Sequence, residues 1–373
     1  TPAGRLTRIS HPDGTRSDQH FDDNGRLAEL AHYRGGERVA YYRYLYDPQG
    51  NRREQIEDLG QGERSTHYQH DPADRLTETQ DPERRTVYGL DGNGNRISEH
   101  HYAQPGGTLI EARSLHYNAR DQLTHINGQD GQLLVSYAYD ANGNRIQISQ
   151  AGETRSYAFG ARDRLLGARL QGPPPDSGLQ DRYDDAGSRI EETSPTQARR
   201  HHYDGERLIL ETNTLGNLLS RHDHGPDRLL AETQGTTPYT WLTDGLKTPV
   251  KRLTATGETH SSTRYDAFGR IQAESSPDTP GFTGHQRGPE SDPELYYAQQ
   301  RWYDAQSGQF VSEDPVWGQP DTPLSLHRYL YAYASPTVFV DRDGRNAFMA
   351  YEFDKAYLGR EEANRRLQQS YPK

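Results

Sequence analysis

The sequence contains no cysteine, which excludes both a disulfide framework and any site built on a thiolate. It has no apolar run near the roughly 18 residues that a membrane-spanning helix needs and no signal-peptide pattern, so we expect no membrane span. Basic residues are outnumbered, with 43 Lys and Arg against 54 Asp and Glu, a formal net charge of -11. Because phosphate contacts need clustered positive charge, nucleic-acid binding is excluded as the main role.

Apolar residues are also scarce. They make up 31% of the 373 residues, charged residues make up 26%, and the mean hydropathy is -1.09, values that alone lean toward disorder. The 25 tyrosines and 36 glycines argue for order, because tyrosine buries a large ring while its hydroxyl stays hydrated. Such residues suit broad, half-exposed sheets. The composition therefore predicts an all-β protein with a large surface.

One motif recurs along most of the chain: an aromatic residue, Asp, two variable residues, Gly, Arg or Asn, and an aliphatic residue. The arginine, or its equivalent, recurs at spacings of 18 to 26 residues, apart from one gap of 42 that predicts a degenerate copy around Trp241–Leu253. The clearest copies are FDDNGRL at 21–27, YDPQGNR at 46–52, YDANGNRI at 139–146, YDDAGSRI at 183–190, YDGERL at 203–208 and YDAFGRI at 265–271.

Each copy predicts a β-hairpin. Tyr42, Tyr44 and Tyr46, two residues apart, fall on one face of a strand. The Asp opens a turn by accepting backbone N–H groups, and the Gly three residues later supplies a positive φ. Arg-Leu or Arg-Ile begins the return strand, and we expect these arginines to be structural, reaching over tyrosine rings or to the turn Asp. Since each hairpin leaves its edges open, successive copies predict a continuous antiparallel ribbon.

These units resemble the YD repeats of the Rhs family, which are shared with the C components of insecticidal Tc toxins and with teneurins. The resemblance covers residues 1–275 and lies in the register of Tyr-Asp, Gly and Arg-Leu. It implies a long antiparallel ribbon of YD-repeat hairpins, spiralling into part of a hollow shell around a C-terminal toxin and capped by a small core domain.

The length of the ribbon predicts how far it can wind. About 24 strands at ~4.8 Å make a ribbon ~115 Å long. A shell around a toxin of ~130 residues has a circumference of about 175 Å. We therefore expect the ribbon not to complete one circuit, and to close with an upstream shell segment or a second shell chain.

The stretch after the repeats, residues 276–345, resembles the Rhs-associated core domain that follows such repeats in the family. Two motifs carry this resemblance, and the first of them matches more strongly. The matching residues are Arg301, Trp302, Tyr303, Asp304, Gly308, Phe310, Ser312, Asp314 and Pro315 in the first motif, and Tyr331, Tyr333, Pro336, Asp341 and Gly344 in the second.

In that family the core is an aspartyl autoprotease that cuts only its own chain. Carried over to this sequence, the resemblance implies Asp314 and Asp341 as catalytic carboxylates, Arg301 as the essential basic residue, and a cut between Arg345 and Asn346. The chemistry is consistent, since two carboxyl groups that share one proton can act as base and acid in turn.

This chain departs from the family pattern near the cut. Arg342 stands where the family has proline, Arg345 takes the leucine position before the cut, and Asp343 is an alternative second carboxylate. The two catalytic carboxylates are 27 residues apart (341 - 314) because of an insertion within 316–329. An arginine buried in a pocket made for leucine would cost several kcal/mol of free energy.

The residues alone also allow a structural reading of this motif. Asp314 and Asp341 would then be turn-opening residues like those of the repeats. Arg301 would form a salt bridge to Asp304 or stack on Trp302.

Metal sites are not predicted. The loops at 91–95 and 140–144 resemble calcium loops but lack the closing ligands. The pairs at 201–202 and 222–224 hold histidines without further zinc ligands, so we expect exposed strand histidines. We expect neither a metal nor a cofactor.

Residues 346–373 are predicted to be the start of a toxin or a plug, and to be partly helical.

The resemblance implies a shell-forming Rhs-repeat protein that encapsulates a C-terminal polymorphic toxin for interbacterial competition. It would be made in the bacterial cytoplasm and secreted by a type VI-like or Tc-type system. Its partners would be the toxin, a secretion-system spike or adaptor, and an immunity protein. The alternative is a teneurin-like surface adhesion module without cargo or catalysis.

Overall fold

The computed structural model of the protein describes residues 5–11, 13–171, 177–194, 197–275, 281–288, 292–345 and 347–349. These residues are almost entirely β-structure, which confirms the predicted all-β class. Twenty-five strands form one sheet in which each strand pairs antiparallel with the next one along the chain. Nowhere in these described ranges is there a helix long and apolar enough to cross a membrane.

The 25 strands form the ribbon. They are β1 (Arg8–Ser10), β2 (Thr15–Phe21), β3 (Leu27–Arg34), β4 (Glu37–Tyr46), β5 (Arg52–Asp58), β6 (Arg64–His70), β7 (Leu76–Gln80), β8 (Arg84–Leu90), β9 (Arg96–Ala103), β10 (Leu109–Tyr117), β11 (Leu123–Gly128), β12 (Leu133–Tyr139), β13 (Arg145–Gln150), β14 (Glu153–Phe159), β15 (Leu165–Gln171), β16 (Ser177–Tyr183), β17 (Arg189–Thr193), β18 (Ala198–Asp204), β19 (Arg207–Thr212), β20 (Leu218–His224), β21 (Leu229–Gln234), β22 (Thr237–Thr243), β23 (Pro249–Thr254), β24 (Thr259–Tyr265) and β25 (Ile271–Glu274).

The residues after the ribbon, here called the core segment (281–345), form shorter elements. A four-stranded sheet comes first, and the last strand of a separate two-stranded sheet lies just beyond the segment. The strands are β26 (Gln286–Arg287), β27 (Leu295–Ala298), β28 (Arg301–Asp304), β29 (Gln309–Phe310), β30 (Phe339–Val340) and β31 (Phe348–Met349), and the 3-10 helices are Phe282–Gly284, Pro323–Leu326 and Ala332–Ala334.

The hairpin turns have the predicted geometry. In the turn between β4 and β5, Asp47 Oδ1 accepts the N–H groups of Gly50 and Asn51, both at 2.8 Å, and Gly50 has a φ of 102°. The degenerate copy predicted near 241–253 is the β22–β23 hairpin. Its Asp244 accepts the N–H of Thr248 at 2.8 Å in the same way.

The register explains why the motif begins with tyrosine. In the β4–β5 hairpin a bulge at the tyrosine places Tyr46 directly opposite Arg52. The Tyr46 hydroxyl then donates to the carbonyl of Leu27 in the preceding repeat, at 2.7 Å. Tyr139 and Tyr183 make the same type of bond to earlier repeats. Phenylalanine would fill the same space but would leave adjacent repeats without this hydrogen bond.

The repeated arginines are structural, as predicted. Arg26 lies 4.7 Å from the ring centre of Tyr46 and binds the turn residue Asp22 at 2.7 Å, a combination of cation–π contact and ion pair. Arg52 lies 4.3 Å from the ring of Tyr44. Each repeat is therefore connected to the next through arginine as well as through tyrosine.

All the Asp-x-x-Gly turns lie along one edge of the ribbon, here called the YD rim, because alternate turns of a meander share an edge. Asparagine side chains connect neighbouring turns on this rim. Asn95 Nδ2 donates to its own turn residue Asp91 at 2.9 Å and to Asp121 of the next turn at 2.7 Å. Asn144 joins Asp140 and Asp163 in the same way.

The ribbon returns to its own beginning. Lys251 in β23 donates to the carbonyls of Val39 and Leu59, at 3.0 and 2.8 Å. Farther along, Arg264 in β24 binds Glu57 in β5 at 2.9 Å. The prediction that the ribbon would not complete a circuit is therefore wrong for this chain.

The reason for this error is the assumed radius. Strands β4 and β23 are 19 strands apart (23 - 4). At ~4.8 Å per strand that is a circuit of ~91 Å, a radius of about 15 Å, which is much tighter than a shell drawn around a folded toxin. The side chains of the two overlapping layers also pack directly, and one buried cluster contains Leu27, Leu30, Tyr42, Tyr44 and Val250.

The core segment packs on β10–β15 and on the YD rim. Tyr297, Trp302 and Val311 share one apolar cluster with residues of β10–β15. Tyrosine hydroxyls of the core segment bind three turn glycines of the rim: Tyr329 to the carbonyl of Gly143 at 2.8 Å, Tyr297 to Gly187 at 3.2 Å and Tyr296 to Gly269 at 3.0 Å. The core segment therefore caps the ribbon at this edge.

Two turn glycines allow the capping contact to be tested. Gly143 lies on the YD rim (φ 90°), where a methyl group would lie 2.5 Å from the Tyr329 hydroxyl; Gly152 lies on the opposite edge (φ 83°) with nothing within 4 Å. Gly152→Ala should lower the free energy of unfolding by about 1–2 kcal/mol, the cost of a left-handed residue. Gly143→Ala should lower it by about 2–4 kcal/mol because the clash adds to that cost. Denaturant titration measures both, and equal losses would contradict the capping contact.

Candidate functional site

The site is built around Arg301, the first residue of β28. Only 3% of Arg301 is exposed, and its guanidinium lies 3.6 Å from the ring centre of Phe310. Its Nη1 donates to the carbonyl of Arg328 at 3.0 Å. The plane of the guanidinium is thus fixed by an aromatic ring and a backbone carbonyl, independently of the carboxylates that it binds.

Asp314 approaches Arg301 from the segment after β29. Its Oδ2 lies 2.7 Å from Arg301 Nη2, and its Oδ1 accepts the N–H of Val316 at 2.8 Å. Its own N–H donates to the carbonyl of Arg328 at 2.9 Å, the same carbonyl that accepts from Arg301. A single backbone group therefore aligns the arginine with the carboxylate.

Asp341 approaches the same nitrogen from the end of β30. Its Oδ2 lies 3.2 Å from Arg301 Nη2, and only 3% of the residue is exposed. Its Oδ1 accepts the N–H of Arg345 at 3.0 Å. One guanidinium thus holds two carboxylates that are far apart in the sequence.

The segment 341–345 has the shape of a repeat turn. Asp341 accepts the N–H four residues on, and Gly344 has a φ of 69°, as in the Asp-x-x-Gly turns of the ribbon. The Gly344 carbonyl accepts a hydrogen bond from Arg301 Nε. A methyl group on Gly344 would lie 2.5 Å from the carbonyl oxygen of Ala298, so only glycine fits here. Asp341 therefore opens a turn, as the structural reading predicts. In addition, it binds Arg301 beside Asp314.

Burial sets the protonation of the two carboxyl groups. Loss of hydration raises the pKa of Asp314, against the opposing effect of Arg301. Loss of hydration raises the pKa of Asp341 to about 7, although Arg301 opposes this as well, and the nearby carboxylates add to the rise. Asp314 keeps more contact with solvent, 15% of its side chain against 4% for Asp341. Near neutral pH the pair can therefore hold one proton, located mainly on Asp341.

The departures from the family pattern are accommodated. Arg345 is exposed, so the expected cost of burying its charge does not arise, and that expectation was wrong. Asp343 does not displace Asp341 from Arg301 Nη2; its Oδ1 accepts the Arg345 N–H at 3.1 Å, beside Asp341. Arg342 donates from Nη1 to the carbonyl of Asp227 in the ribbon, at 2.7 Å. Asn346, the other residue of the predicted cut, lies outside the described residues.

The alternative partners considered for Arg301 are taken by other groups. Asp304 binds Arg145 of the ribbon at 2.6 Å, and the indole of Trp302 donates to Tyr183 at 3.1 Å. The sequence did not indicate the roles of Phe310 and of the Arg328 carbonyl. Phe310 was visible only as part of the motif, and no side-chain pattern marks a backbone acceptor.

The predicted exposure is confirmed for His202, whereas two of the other histidines differ from it. His201 and His222 are buried, 4% and 7% exposed, because both point at Glu211 on the strand between them, at 3.4 and 3.3 Å. Across the described ranges, the His, Asp and Glu side chains form no group of three or more that could hold a metal ion.

The profile of one protein family, the teneurin YD-shell, matches residues 4–337. Among curated proteins, the tRNA nuclease WapA of Bacillus subtilis is 28% identical over 265 residues, covering 69% of this chain and 11% of WapA. The tRNA3(Ser)-specific nuclease WapA of Bacillus spizizenii is 27% identical over 265 residues, with the same coverage of each chain. This chain thus spans about a tenth of the length of these relatives.

Two solved structures have the same fold. The Tc holotoxin pore of Photorhabdus luminescens, with a mutated TccC3, has a TM-score of 0.73 over 94% of this chain and 19% of that chain, at 16% identity. The TcdB2-TccC3-TEV crystal structure has a TM-score of 0.71 over 92% of this chain and 19% of that chain, at 17% identity. At these identities the likeness shows the fold alone.

Proposed function

Because this chain belongs to the teneurin YD-shell family, the Rhs and YD-repeat proteins, we propose that it forms part of a shell around a C-terminal toxin and cuts itself after Arg345 to free that toxin. The observation that carries the proposal is the pair of carboxylates, Asp314 and Asp341, held on one buried arginine beside the backbone of residue 345.

The cargo part of the proposal is supported by the relatives. The WapA proteins are tRNA nucleases, and this chain matches only about a tenth of their length. In our proposal the repeats and core segment of this chain serve a toxin that follows residue 345, with residues 346–373 as its start or as a plug.

The cargo would need more room than the described ribbon offers. One cavity, lined by β4–β10, by β23–β25 and by the core segment, has a volume of about 540 Å³. A domain of ~130 residues has a radius of about 18 Å and needs a far larger space. We therefore propose that an upstream shell segment or a second shell chain supplies the chamber, and that the core segment closes one end of it.

The proposed cut is hydrolysis of the Arg345–Asn346 peptide bond. Asp341 and Asp343 hold the Arg345 N–H, so the carbonyl carbon of the same residue follows directly. Asp314, the more exposed carboxylate, would take a proton from water as the water oxygen attacks that carbonyl carbon. Asp341 would give its proton to the departing amide nitrogen, and the products would be a new carboxyl end and a new amine. Arg301 holds both carboxylates in place.

In this proposal the protein is made in the bacterial cytoplasm and exported for interbacterial competition. A type VI-like spike or adaptor or a Tc-type assembly would deliver it, and an immunity protein would protect the producer. A teneurin-like adhesion module without cargo is the second candidate, favoured by the family profile itself. In that case Asp314 and Asp341 would only open turns.

The intact mass of the chain expressed from its native gene separates these functions. We expect the native chain to break after Arg345, whereas Asp314→Asn and Asp341→Asn chains stay whole. The rate should fall by at least about 10²-fold in each variant, because each amide removes one proton-transfer step. Gln306→Ala, a core-segment residue that does not touch the two carboxylates, is the matched control and should be cut like the native chain.

A native chain that stays whole would contradict the catalytic part and favour the adhesion module. A cut that persists in both Asn variants would show that some other group, or another protease, makes it. A fragment ending at Gly344 instead of Arg345 would place the reacting bond one residue earlier.

A further inference from the structure

The Arg342 side chain attaches the cleavage segment 341–345 to the ribbon. Arg342 Nη1 donates to the carbonyl of Asp227 at 2.7 Å, on the turn 225–228 between β20 and β21. Arg342 stands where the family resemblance leads one to expect proline, a residue that stiffens the backbone but cannot reach out to another part of the fold. In this chain the cleavage segment is therefore held by a side-chain hydrogen bond to the ribbon instead of by a stiff proline.

The turn 225–228 is where the last strands of the ribbon meet the first. The Asp227 carboxylate is buried and binds Arg228 at 2.7 Å and Lys247, which follows β22. Although burial opposes ionisation, these two cations keep the pKa of Asp227 well below its usual range. Arg228 Nη2 in turn donates to Gln19 in β2 at 3.2 Å.

A second pair of contacts joins the last strands of the ribbon to the first near this turn. Arg228 Nη1 donates to the Thr243 hydroxyl at 3.3 Å, and the Thr243 carbonyl lies 2.9 Å from Nε2 of His32 in β3. The turn that accepts from Arg342 is thus held by contacts from β2 and β3 in addition to its local contacts, such as the one from Lys247. A chain whose ribbon has not closed would lack the contacts from β2 and β3.

The other end of the anchor is rigid. His285 is buried and hydrogen-bonded to the backbone of Asp341, and burial together with the charge of Arg342 lowers its pKa to about 3, so the ring is neutral. The Asp341 backbone, and with it the carboxylate on Arg301, is thus restrained from two sides, by His285 and by the Arg342 anchor on the adjacent residue.

We propose that Arg342 is a positioning residue that makes self-cleavage depend on closure of the ribbon: the segment is held in cutting geometry only after β2 and β3 have met the turn 225–228. This inference rests on the proposed self-cleavage. The inference adds to that proposal by naming what controls the cleavage site, which is the folding of the shell that the cut would open.

The test is a time course of self-cleavage in cell-free synthesis of the full chain, read by intact mass. Arg342→Ala should slow the cut by about 10- to 100-fold, the effect of a reacting group misplaced by about 1 Å. Arg342→Lys, which still provides a donor, should recover most of the rate. Gln19→Met, which removes the acceptor for Arg228 at the overlap, should also slow the cut.

Arg221→Ala is the matched control. Arg221 lies on β20 shortly before the turn and pairs at the surface with Asp223, at 2.9 Å, so its loss should leave the rate unchanged. Melting temperatures are measured for every variant, and a slower cut without a matching fall in melting temperature separates positioning from general destabilisation.

The outcomes are distinguishable. A native chain that stays whole contradicts both the proposed self-cleavage and this inference. A native chain that is cut, with Arg342→Ala or Gln19→Met cut equally fast, overturns this inference alone. Failure of Arg342→Lys to restore the rate would also overturn it, because a donor to the Asp227 carbonyl would then not be what matters.

Discussion

Arg301→Met should abolish self-cleavage and lower the free energy of unfolding by about 3–5 kcal/mol. Asp314 and Asp341 both depend on the same nitrogen of this arginine, at 2.7 and 3.2 Å. Without it, the Asp314 carboxylate loses its ion pair, Asp341 is driven further toward its protonated form, and the Gly344 carbonyl loses its donor. Intact mass reports the cleavage, and denaturant titration reports the stability.

The double variant Arg301→Met/Asp341→Asn separates structure from chemistry. Asn at position 341 stays neutral at every pH, so it should restore stability mainly at alkaline pH, where both carboxyl groups would otherwise be ionised and repel each other. Cleavage should stay absent, because neither the proton donor nor the arginine remains. If the single Arg301→Met variant unfolds like the native chain, the two ion pairs do not stabilise the core segment, and the proposed role of Arg301 would have to be abandoned.

The sequence was sufficient to predict the ribbon because the rules of each repeat are local. An Asp that binds the N–H four residues later, a Gly with positive φ and a Tyr opposite an Arg all lie within one hairpin, as Tyr46 lies opposite Arg52. The degenerate copy at Asp244 could be placed by spacing alone. Local rules of this kind do not depend on what the rest of the chain does.

The candidate site was predictable only as a set of residues. The motif named Arg301, Asp314 and Asp341, but their meeting depends on backbone groups such as the Arg328 carbonyl, which no residue pattern marks. The same is true of Arg345. Whether its side chain is buried or exposed is decided by how segment 341–345 lies on the core segment, not by its own residue type.

The closure of the ribbon was not predictable from local rules at all. Each hairpin gives a strand spacing, but the radius depends on which side chains pack between the overlapping layers. Here Tyr42, Tyr44 and Val250 fill that space, and Lys251 fixes the register between the layers. An estimate that began from the size of the cargo therefore gave too wide a circle.

Arg145 shows how strongly the core segment is held, since it is a fully buried ionic link between the ribbon and the core segment. Its side chain is 0% exposed and lies 4.7 Å from the ring centre of Tyr137. Its Nη1 binds Asp304 at 2.6 Å and its Nη2 donates to Ser307 at 3.2 Å. By contrast Arg120, which also joins the ribbon to the core segment through Glu313 at 2.7 Å, is 51% exposed.

Arg145→Met should therefore lower the free energy of unfolding by about 3–5 kcal/mol, because the Asp304 carboxylate stays buried without its cation. Arg120→Met, the matched control, should change it by at most about 1 kcal/mol, since water screens and replaces that exposed pair. Adding Asp304→Asn to Arg145→Met should recover part of the loss, and denaturant titration measures all three variants. Equal effects of the two single variants would mean that the ribbon holds its cap by surface contacts alone, and the buried arginine would then contribute packing rather than charge.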